Sequence, residues 1–539
     1  MKRIILFLFV WVIFSINSYG AVYWASTNGT ACCGTLAQPW DLRTAFGKTA
    51  TIVGGDFLEL KGGAYTNAPE HYVNGGNEGD IFQVLISGTY GNPITIESAT
   101  NEWAIVDGQA FGGFYAYHAN ARPTIMVGSS AGNATNGWYI TWRNMEVLSS
   151  SQEARSSPDD SSFPTSITRS DGMYFFGRSN IVHNIIIHDL TTGFSAWEQS
   201  SDILISGSLA YNNGWVGTPN KHGHGVYTQN KTPRGPKVFY NNVIINNGDN
   251  SIQAYGSGGA EVEHYRIHNN GLIGNRLRVG GRVNAVQGDN IIATNFIFNT
   301  DLDFIYFTTT NASDIYVYNN IVGNGGTQGG SWTNATFTNN TLINPASATL
   351  FDLVPTNGTA IPTAWTVDFN KYYYTPTGNQ LFRIEGLAPK TFANWKTATG
   401  WDLNSTITAL PAPDFKTVQP NMFDSNKANA FVYNWSLANS VALNVASCGW
   451  GPSDSIRVRN AQDYWNDVTT NVLIANILTL NMQTNAHTVA QPYGTVTNFG
   501  VMTFPQFGAF MLEKISTPAP STGTNTINAV TGRFNILTN

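Results

Sequence analysis

The chain has 539 residues, of which only 12% are charged and 13% are aromatic, and its formal net charge is −6. This acidic balance excludes nucleic acid as an obvious partner, and three cysteines are too few for a disulfide framework. A chain of this length can instead bury a large apolar core.

The N-terminus is typical of a secretory signal. Lys2 and Arg3 precede an apolar run from Ile4 to Phe14, and Ser18-Tyr19-Gly20 offers small residues for cleavage after Gly20. The run is too short for a comfortable membrane span, and no later segment is long enough. We therefore expect residues 1–20 to be removed and the mature protein to be secreted, extracellular or periplasmic.

The cysteines give one expectation about covalent structure. Cys32 and Cys33 are adjacent, and Cys448 lies near the other end of the chain. Because adjacent cysteines rarely bond to each other, we expect at most one bridge, from this pair to Cys448.

Short strands separated by Gly, Asn and Asp turns follow the signal. GDFLELKGGAYTN, NPITIESA and AIVDGQ are early examples, and residues 39–46 form a helix-like piece. A polar insertion at about 148–170, SSSQEARSSPDDSSFPTSITRS, is predicted to be a loop that can move over the neighbouring sheet.

Asn-centred segments recur through the middle of the chain. HNIIIH, NNVIINNG, NNGLIGN, TNFIFN, NNIVGN and NNTLIN begin at residues 183, 241, 269, 294, 319 and 339. Their central asparagines, Asn242, Asn270, Asn295, Asn320 and Asn340, are 20 to 28 residues apart, which is one turn of a parallel β-solenoid. We expect these asparagines at corners of the backbone, with hydrogen bonds to the coils above and below.

A second alignment predicts which side chains face outward. Five segments align on Gly172, Gly193, Gly225, Ser251 and Arg282. The inward columns are then Met173, Phe194, Val226, Ile252 and Val283, and Phe175, Ala196, Thr228, Ala254 and Ala285, because side chains alternate along a strand. The outward columns are Tyr174, Ser195, Tyr227, Gln253 and Asn284, and Phe176, Trp197, Gln229, Tyr255 and Val286.

An exposed sheet rich in Tyr, Trp, Gln and Asn suits a surface that stacks on sugar rings and bonds to hydroxyls. The candidate substrate-binding residues are Tyr174, Phe176, Trp197, Gln229, Gln253, Tyr255 and Asn284. The alternative is that the aromatic rings only stabilise one another.

The repeat ends before the C-terminal region. From about 416 to 515, segments such as SIRVRNAQDYWND and FPQFGAFMLEK predict an antiparallel β-sandwich, and 516–539 is a linker with a disordered tail. The fold class is therefore all-β, with a parallel β-helix and its N-terminal cap over 21–415 followed by a sandwich over 416–515.

The segments GDFLELKGGAY, GTYGNPITIES and AIVDG, together with HGHGVYTQN and the Asn-ended coils, resemble secreted right-handed parallel β-helix proteins. These include pectate lyases and lyases of the chondroitinase B type. The resemblance covers residues 22–415. It implies a right-handed β-helix and a carbohydrate ligand, but it does not imply a reaction.

Residues 221–282 form a basic stretch in this acidic chain. They contain eight Lys and Arg residues against three acidic ones, and four of the nine histidines. Such a stretch attracts anionic ligands, including uronate-containing or sulfated glycans. The alternative is a solvated charged edge.

Elimination at a uronate needs a cation for the carboxylate, a base, and a proton donor for the leaving oxygen. Arg282 or Arg278 could supply the cation, His224 or Lys221 the base, and Tyr227 the donor. His222 shares one side with His224 if that segment is extended. The histidines could instead bind a metal or serve packing. No cofactor is certain, although calcium could replace the arginine.

Hydrolysis would instead need two carboxylates that face each other across the glycosidic bond, and Glu198 and Asp171 are the candidates. Glu198 could otherwise pair with Lys221 or Lys231. A third hypothesis is a glycan-binding protein without activity. The leading hypothesis is a secreted, monomeric lyase that cleaves an acidic polysaccharide.

Overall fold

A computed structural model describes residues 20–66, 82–109, 123–129, 135–161, 164, 166–167, 169–231, 235–256, 260–281, 287–305, 313–330, 332–345, 349–355, 359–375, 381–494 and 499–515. The predicted signal, apart from Gly20, and the predicted tail lie outside the described residues. So do Arg282, Val283, Asn284, Ala285 and Val286.

Three columns of parallel strands follow the chain coil by coil, which confirms the parallel β-helix. The first column contains Val22–Thr30, Phe57–Leu60, Ile94–Ser98, Ile140–Leu148, Ile181–His188, Ile203–Ser206, Lys237–Tyr240, Tyr265–His268, Asn290–Ala293, Asp314–Tyr318, Asn334–Thr338 and Trp365–Asp368. The second contains Gly63–Thr66, Ala104–Asp107, the same two long strands Ile140–Leu148 and Ile181–His188, Leu209–Tyr211, Val243–Ile245, Gly271–Ile273, Phe296–Phe298, Ile321–Gly323, Thr341–Asn344, Lys371–Tyr374 and Thr406–Ala409.

The third column carries the face on which sugar binding is predicted. It contains Phe82–Val84, Pro123–Val127, Asp171–Phe175, Phe194–Ala196, His224–Thr228, Asn250–Ala254, Arg276–Val279, Leu302–Phe304, Thr327–Gly330, Phe351–Val354 and Phe382–Ile384. Two further short pairs are separate from these columns: Trp215–Val216 with Lys221–His222, antiparallel, and Val262–Glu263 with Gln287–Gly288, parallel. The helices are Leu42–Phe46, within the predicted helix-like piece, and Phe392–Thr399.

The predicted asparagines form a continuous ladder of side-chain amides. Each Nδ2 donates to Oδ1 of the next rung, at 2.9 Å from Asn242 to Asn270 and at 3.0 Å along the following rungs to Asn340. Each Oδ1 also accepts the backbone N–H of the preceding rung. The residue before each rung has a positive φ, from 54° at Asn241 to 58° at Asn269, so the corner prediction is confirmed.

The predicted inward column is confirmed over four coils and wrong in the fifth. Met173, Phe194, Val226 and Ile252 are paired in register and are at most 1% exposed. Ile252 then pairs with Leu277, six residues before the predicted Val283. The register shift after Asn250 accounts for one residue of this difference, and the rest arises because the coil closes earlier than the predicted alignment assumed.

The C-terminal region begins with Phe415–Pro420 and contains two antiparallel sheets. The larger has the strand order Phe415–Pro420, Lys427–Tyr433, Phe507–Ile515, Ser455–Asn460, Val468–Val472. The smaller pairs Ser440–Asn444 with Ile477–Asn481. Short 3-10 helices span Ala446–Cys448, Ala461–Asp463 and Thr484–Ala486. Residues of both sheets share one apolar cluster; the sandwich arrangement itself stays a prediction.

The larger sheet packs directly on the second column of the helix. Phe296 and Phe298 stack on Phe431 and Phe507, with ring centroids 4.8 and 4.7 Å apart. Gly271 permits this approach, because a Cβ there would lie 2.0 Å from the Phe431 ring. The C-terminal sheet is therefore part of the same packed body rather than a tethered module.

Two buried arginines anchor the polar insertion. Arg155 donates to Asp189 and to the Asn212 carbonyl, at 3.1 and 2.6 Å, and Arg169 donates to five backbone carbonyls, including that of Tyr493. The described part of the insertion is a loop, as predicted, but these contacts do not support the expected movement over the sheet.

The cysteine expectation is wrong. Cys32 is bonded to its neighbour Cys33, and Cys448 is a free thiol. The N-terminal cap and the C-terminal region are thus held together without a covalent link between described cysteines.

Removing one rung should destabilise the fold strongly. Asn295→Ala leaves the backbone N–H and the side-chain Nδ2 of Asn270 without their buried acceptor, so we expect a loss of about 3 kcal/mol in the free energy of unfolding. Asn334→Ala, which removes an exposed hydrogen bond to Asp314, is the matched control and should cost under about 1 kcal/mol. Urea unfolding of both variants measures this, and equal losses would contradict the ladder's role.

The free energy of unfolding should depend on pH through the buried His188. His188 places both ring nitrogens 2.7 Å from carboxylates, those of Asp189 and Glu146. Burial acts to lower its pKa, but the two carboxylates outweigh burial and raise the pKa to about 9. Its stabilisation is therefore complete below about pH 6.5 and is lost as the pH rises through 9.

From this shift we expect a loss of about 3 kcal/mol in unfolding free energy between pH 6.5 and 9.5. Urea unfolding at both pH values, with His188→Gln as the comparison, tests it. A wild-type loss no larger than that of His188→Gln would show that His188 is not charged in the fold.

Candidate active site

The outward face of the third column presents one continuous row of side chains. In register from coil to coil it contains Gln83, Met126, Tyr174, Ser195, Tyr227, Gln253, Arg278, Asp303, Gln328, Asp352 and Arg383. The predicted row from Tyr174 to Gln253 is confirmed. Arg278 takes the position predicted for Asn284, because the fifth coil closes earlier.

The N-terminal part of this row is covered, contrary to the expected exposed sheet. Tyr174 is 5% exposed, Ser195 1% and Gln253 6%, whereas Tyr227 is only partly buried. Burial and the Asp171 carboxylate hold the pKa of Tyr174 well above its usual value. The phenol therefore stays protonated, as its 3.0 Å hydrogen bond to Asp171 requires.

The aromatic residues of the two outward rows contact one another. Trp197 stacks on Phe176 with centroids 6.1 Å apart and also touches Tyr174 and Tyr227 at 5.4 and 5.6 Å. Phe176, Trp197 and Tyr227 are each partly exposed. The rings thus stabilise one another, as the alternative interpretation held, and still present partial surfaces to a ligand.

A buried lysine fixes the bend that carries Trp197. The ammonium of Lys237 donates to the carbonyls of Ala196 and Trp197, at 2.9 and 2.6 Å, and to Ser200 Oγ at 3.1 Å. Lys237 is 0% exposed. A charged group held by three oxygens in the interior orients the backbone just where the chain leaves the third column.

His224 lies at the start of its strand, beside Tyr227 and Asn250. Its ring stacks on Tyr227 with centroids 5.6 Å apart, and its Nδ1 is 3.4 Å from Asn250 Nδ2 and 4.0 Å from Asp249 Oδ2. Nε2 of His224 makes no hydrogen bond to any described residue. This nitrogen is therefore available to a ligand.

The amide of Asn250 determines what His224 Nδ1 can do. Both hydrogens of Asn250 Nδ2 have closer acceptors, Asp249 Oδ2 and Gln253 Oε1, each at 2.7 Å. With these hydrogens used, Nδ1 can carry the proton of the neutral ring and Nε2 can accept one.

Burial lowers the pKa of His224 to about 4, although the Asp249 carboxylate acts to raise it. His222 and Arg278 lower it further. The ring is therefore neutral over the whole range near pH 7, as a base must be.

Arg278 is the cation of this site. It follows Gln253 in the outward row, and its Nη2 lies 3.3 Å from Asp303 Oδ2. Burial raises the pKa of Asp303 to about 6, although Arg278 acts to lower it. Tyr227 and Arg278 are two coils apart, about 10 Å at 4.8 Å per coil.

Lys221 and His222 do not share a strand with His224. Gly223, at φ 88°, separates them from His224. Lys221 and His222 instead form the short antiparallel pair with Trp215 and Val216. His222 Nε2 is 3.0 Å from Asp160 of the insertion, and Lys221 Nζ lies 5.7 Å from the Phe499 ring centroid. The predicted common side for the two histidines is therefore wrong.

Glu198 and Asp171 lie at opposite ends of their strands. Asp171 begins its strand, whereas Glu198 follows Ala196, which is paired with Phe175. At about 3.3 Å per residue, four residue steps along the strand already separate them by roughly 13 Å, more than the 5 to 9.5 Å that glycosidase carboxylates need. Glu198 instead lies 3.8 Å from Lys231, the alternative considered for it.

The remaining binding candidates lie in the second outward row. Gln229 Nε2 donates to the Tyr227 hydroxyl at 3.1 Å, and Tyr255 is partly exposed one coil further. Among the described residues no group of three or more His, Cys, Asp or Glu is arranged to hold a metal ion. No helix in the described ranges is long and apolar enough to cross a membrane.

The sequence interpretation missed Asn250, Asp249, Asp303 and Lys237. The segment GDNSIQ was the signal for Asp249 and Asn250, which directly precede the aligned Ser251. Nothing in the local sequence distinguishes the buried Lys237 from a surface lysine, because its partners belong to the preceding coil.

Comparison with known proteins gave fold-level similarity alone. No family model and no curated protein matches the chain. Among solved structures it is similar to pectate lyase Pel9A, with 15% identity over 73% of this chain and 79% of that chain and a TM-score of 0.38.

A rhamnogalacturonan lyase shares 14% identity over 72% of this chain and 87% of that chain, with a TM-score of 0.40. The PL6 family polysaccharide lyase Pedsa3628 from Pseudopedobacter saltans shares 13% identity over 69% of this chain and 91% of that chain, with a TM-score of 0.42. These overlaps are loose, so we transfer no residue role from them, and the fold assignment rests on the strand register.

Lys237→Met should destabilise the protein by about 3 kcal/mol, because the carbonyls of Ala196 and Trp197 lose a buried donor. Lys231→Met is the matched control. Its side chain is 44% exposed and its ammonium lies 3.8 Å from Glu198, so we expect a cost below about 1 kcal/mol. Urea unfolding compares the two, and an unchanged midpoint for Lys237→Met would remove the lysine from this role.

Proposed function

We propose that this protein is a secreted polysaccharide lyase that cleaves an acidic, uronate-containing glycan by β-elimination. The observation that carries the proposal is the register of the third column. It places a neutral histidine and a tyrosine, His224 and Tyr227, on one strand, and an arginine, Arg278, two coils further along the same face. These are the base, the proton donor and the cation that elimination requires.

The roles follow from position and charge. Arg278 binds the uronate carboxylate and so makes the proton on the adjacent carbon more acidic. Nε2 of His224 removes that proton, the bond from the ring to the glycosidic oxygen breaks, and the Tyr227 hydroxyl protonates the leaving oxygen. Nε2 can accept this proton when the neutral imidazole carries its own proton on Nδ1, the nitrogen on the side of Asp249 and Asn250.

The glycan lies along the helix axis in this proposal. A step of about 4.8 Å per coil is close to the length of one sugar residue, so neighbouring coils contact neighbouring sugars. Trp197, Phe176 and Tyr255 offer partial ring surfaces on one outward row, and Gln229 offers an amide. The proposed reaction requires no calcium, because Arg278 supplies the positive charge that binds the uronate carboxylate.

We expect the protein to be secreted, because its N-terminal sequence is typical of a secretory signal. We propose neither a membrane span nor a nucleic-acid partner for it. All residues of the proposed active site belong to one chain, so the proposed reaction requires only a monomer. We also propose that the β-helix is right-handed, because this is the preferred hand of connections between parallel strands.

Hydrolysis by Glu198 and Asp171 is the alternative reaction, and binding without cleavage is the alternative class. The separation of the two carboxylates disfavours hydrolysis. A panel of acidic and neutral polysaccharides distinguishes all three. Elimination gives new ends with the ultraviolet absorbance of an unsaturated uronate, hydrolysis gives reducing ends without it, and a binding protein gives neither.

His224→Ala should lower turnover by at least about 100-fold and change KM by only a few-fold, because a base acts mainly in the transition state. His268→Ala, on the first column, is the matched control and should keep full activity. The absorbance of the unsaturated product measures both. Normal activity of His224→Ala would remove the histidine from the reaction.

The pH profile provides a separate check on the same residue. Because the pKa of His224 is lowered to about 4, activity should hold as the pH falls to about 5 and then decline through 4. An unperturbed histidine would instead lose activity between pH 7 and 6. An acid limb at that higher range would contradict the buried environment assigned to His224.

A further inference from the structure

A second aromatic cluster lies where the C-terminal region meets the helix, away from the third column. We call it the junction patch and define it as Trp103, Arg459, Tyr464 and Trp465. Trp465 is 39% exposed, and its ring lies 5.7 Å from Trp103 and 4.9 Å from Tyr464. Trp103 comes from the helix and the other three from the C-terminal region, so the patch exists only when the two are docked.

One carboxylate fixes both indoles. Glu146 accepts the Nε1 hydrogen of Trp103 at 2.8 Å and that of Trp465 at 3.1 Å, and His188 balances its charge at 2.7 Å. With its N–H held, the exposed Trp465 ring has little freedom left to lose when a ligand stacks on it. A rigid, partly exposed aromatic surface of this kind is typical of binding hot spots.

Arg459 adds a cation beside these rings. Its guanidinium lies 4.7 Å from the Tyr464 ring centroid and 5.5 Å from that of Trp465. Nη1 donates to the Tyr464 carbonyl at 3.0 Å, and the buried Nε has no hydrogen-bond partner. In the described part of the chain Arg459 forms no ion pair, so its guanidinium can pair with an anionic ligand.

We propose that the junction patch is a second carbohydrate-binding site, with a sugar ring on Trp465 and a sugar carboxylate on Arg459. The site itself is independent of catalysis. Only the choice of a uronate as its ligand rests on the proposed function.

The test is isothermal titration of His224→Ala, which should not consume the probe, with hexasaccharides of galacturonate and of mannuronate. A neutral glucose hexasaccharide is the comparison. Into this background we place Trp465→Ala, Trp197→Ala on the third column, and Tyr90→Ala. Tyr90 is 83% exposed and serves as the matched surface aromatic.

We expect two classes of site for an acidic probe. Trp465→Ala should weaken one of them about tenfold or more, and Tyr90→Ala should change neither. If Trp465→Ala alone abolishes binding, the junction patch is supported and the third-column site is not. If Trp197→Ala alone abolishes it, the junction patch is overturned while the proposed active site stands. Absence of any binding to both acidic probes overturns both proposals, and equal binding of the neutral probe overturns the role of Arg459.

Discussion

The constraint on which the rest of the structure depends is the register of stacked coils. Backbone hydrogen bonds alone would tolerate a shift between parallel strands, and a shift of one residue would exchange the inward and outward faces. The asparagine ladder opposes such a shift, because each amide bonds both to the next amide and to backbone groups of neighbouring coils. The ladder continues through Asn370 to Asp402, whose buried carboxylate accepts hydrogen bonds from Asn370, Tyr372, Trp395 and Ser405.

This register also determines the chemistry of the candidate site. His224 and Tyr227 share one strand, whereas Arg278 is more than fifty residues further along the chain and joins the same face only because successive coils stack in register. Burial in this packed row lowers the pKa of His224, so that the ring is neutral near pH 7, and raises the pKa of Asp303. The insertion and the C-terminal region add a second set of buried charges around His188, Arg155 and Arg169, which hold the surrounding segments in place.

The sequence predicted the repeat well because its signals are local. Asparagine at a left-handed corner and alternating apolar residues are visible in a single coil, so Asn242 to Asn340 and Met173 to Ile252 were identified correctly. The fifth coil was misaligned because the coils differ in length, so the spacing of one repeat does not determine where the next strand begins. The exposure of Tyr174 and Gln253 was overestimated, because alternation along a strand predicts the face of a side chain but not its contacts with neighbours such as Trp197 and Asn250. The bond between Cys32 and Cys33 was rejected on a general tendency that this chain does not follow. The roles assigned to Glu198, Asp171 and Arg282 remain untested.

We propose that an acidic glycan binds along the third column with its carboxylate on Arg278 and its reactive carbon beside His224. The most direct measurement is a crystal structure of the His224→Ala variant with a uronate oligosaccharide that supports turnover by the wild type. We expect a sugar carboxylate within hydrogen-bond distance of Arg278 and a glycosidic oxygen near the Tyr227 hydroxyl. An oligosaccharide bound on another face, or one whose carboxylates avoid Arg278, would contradict it.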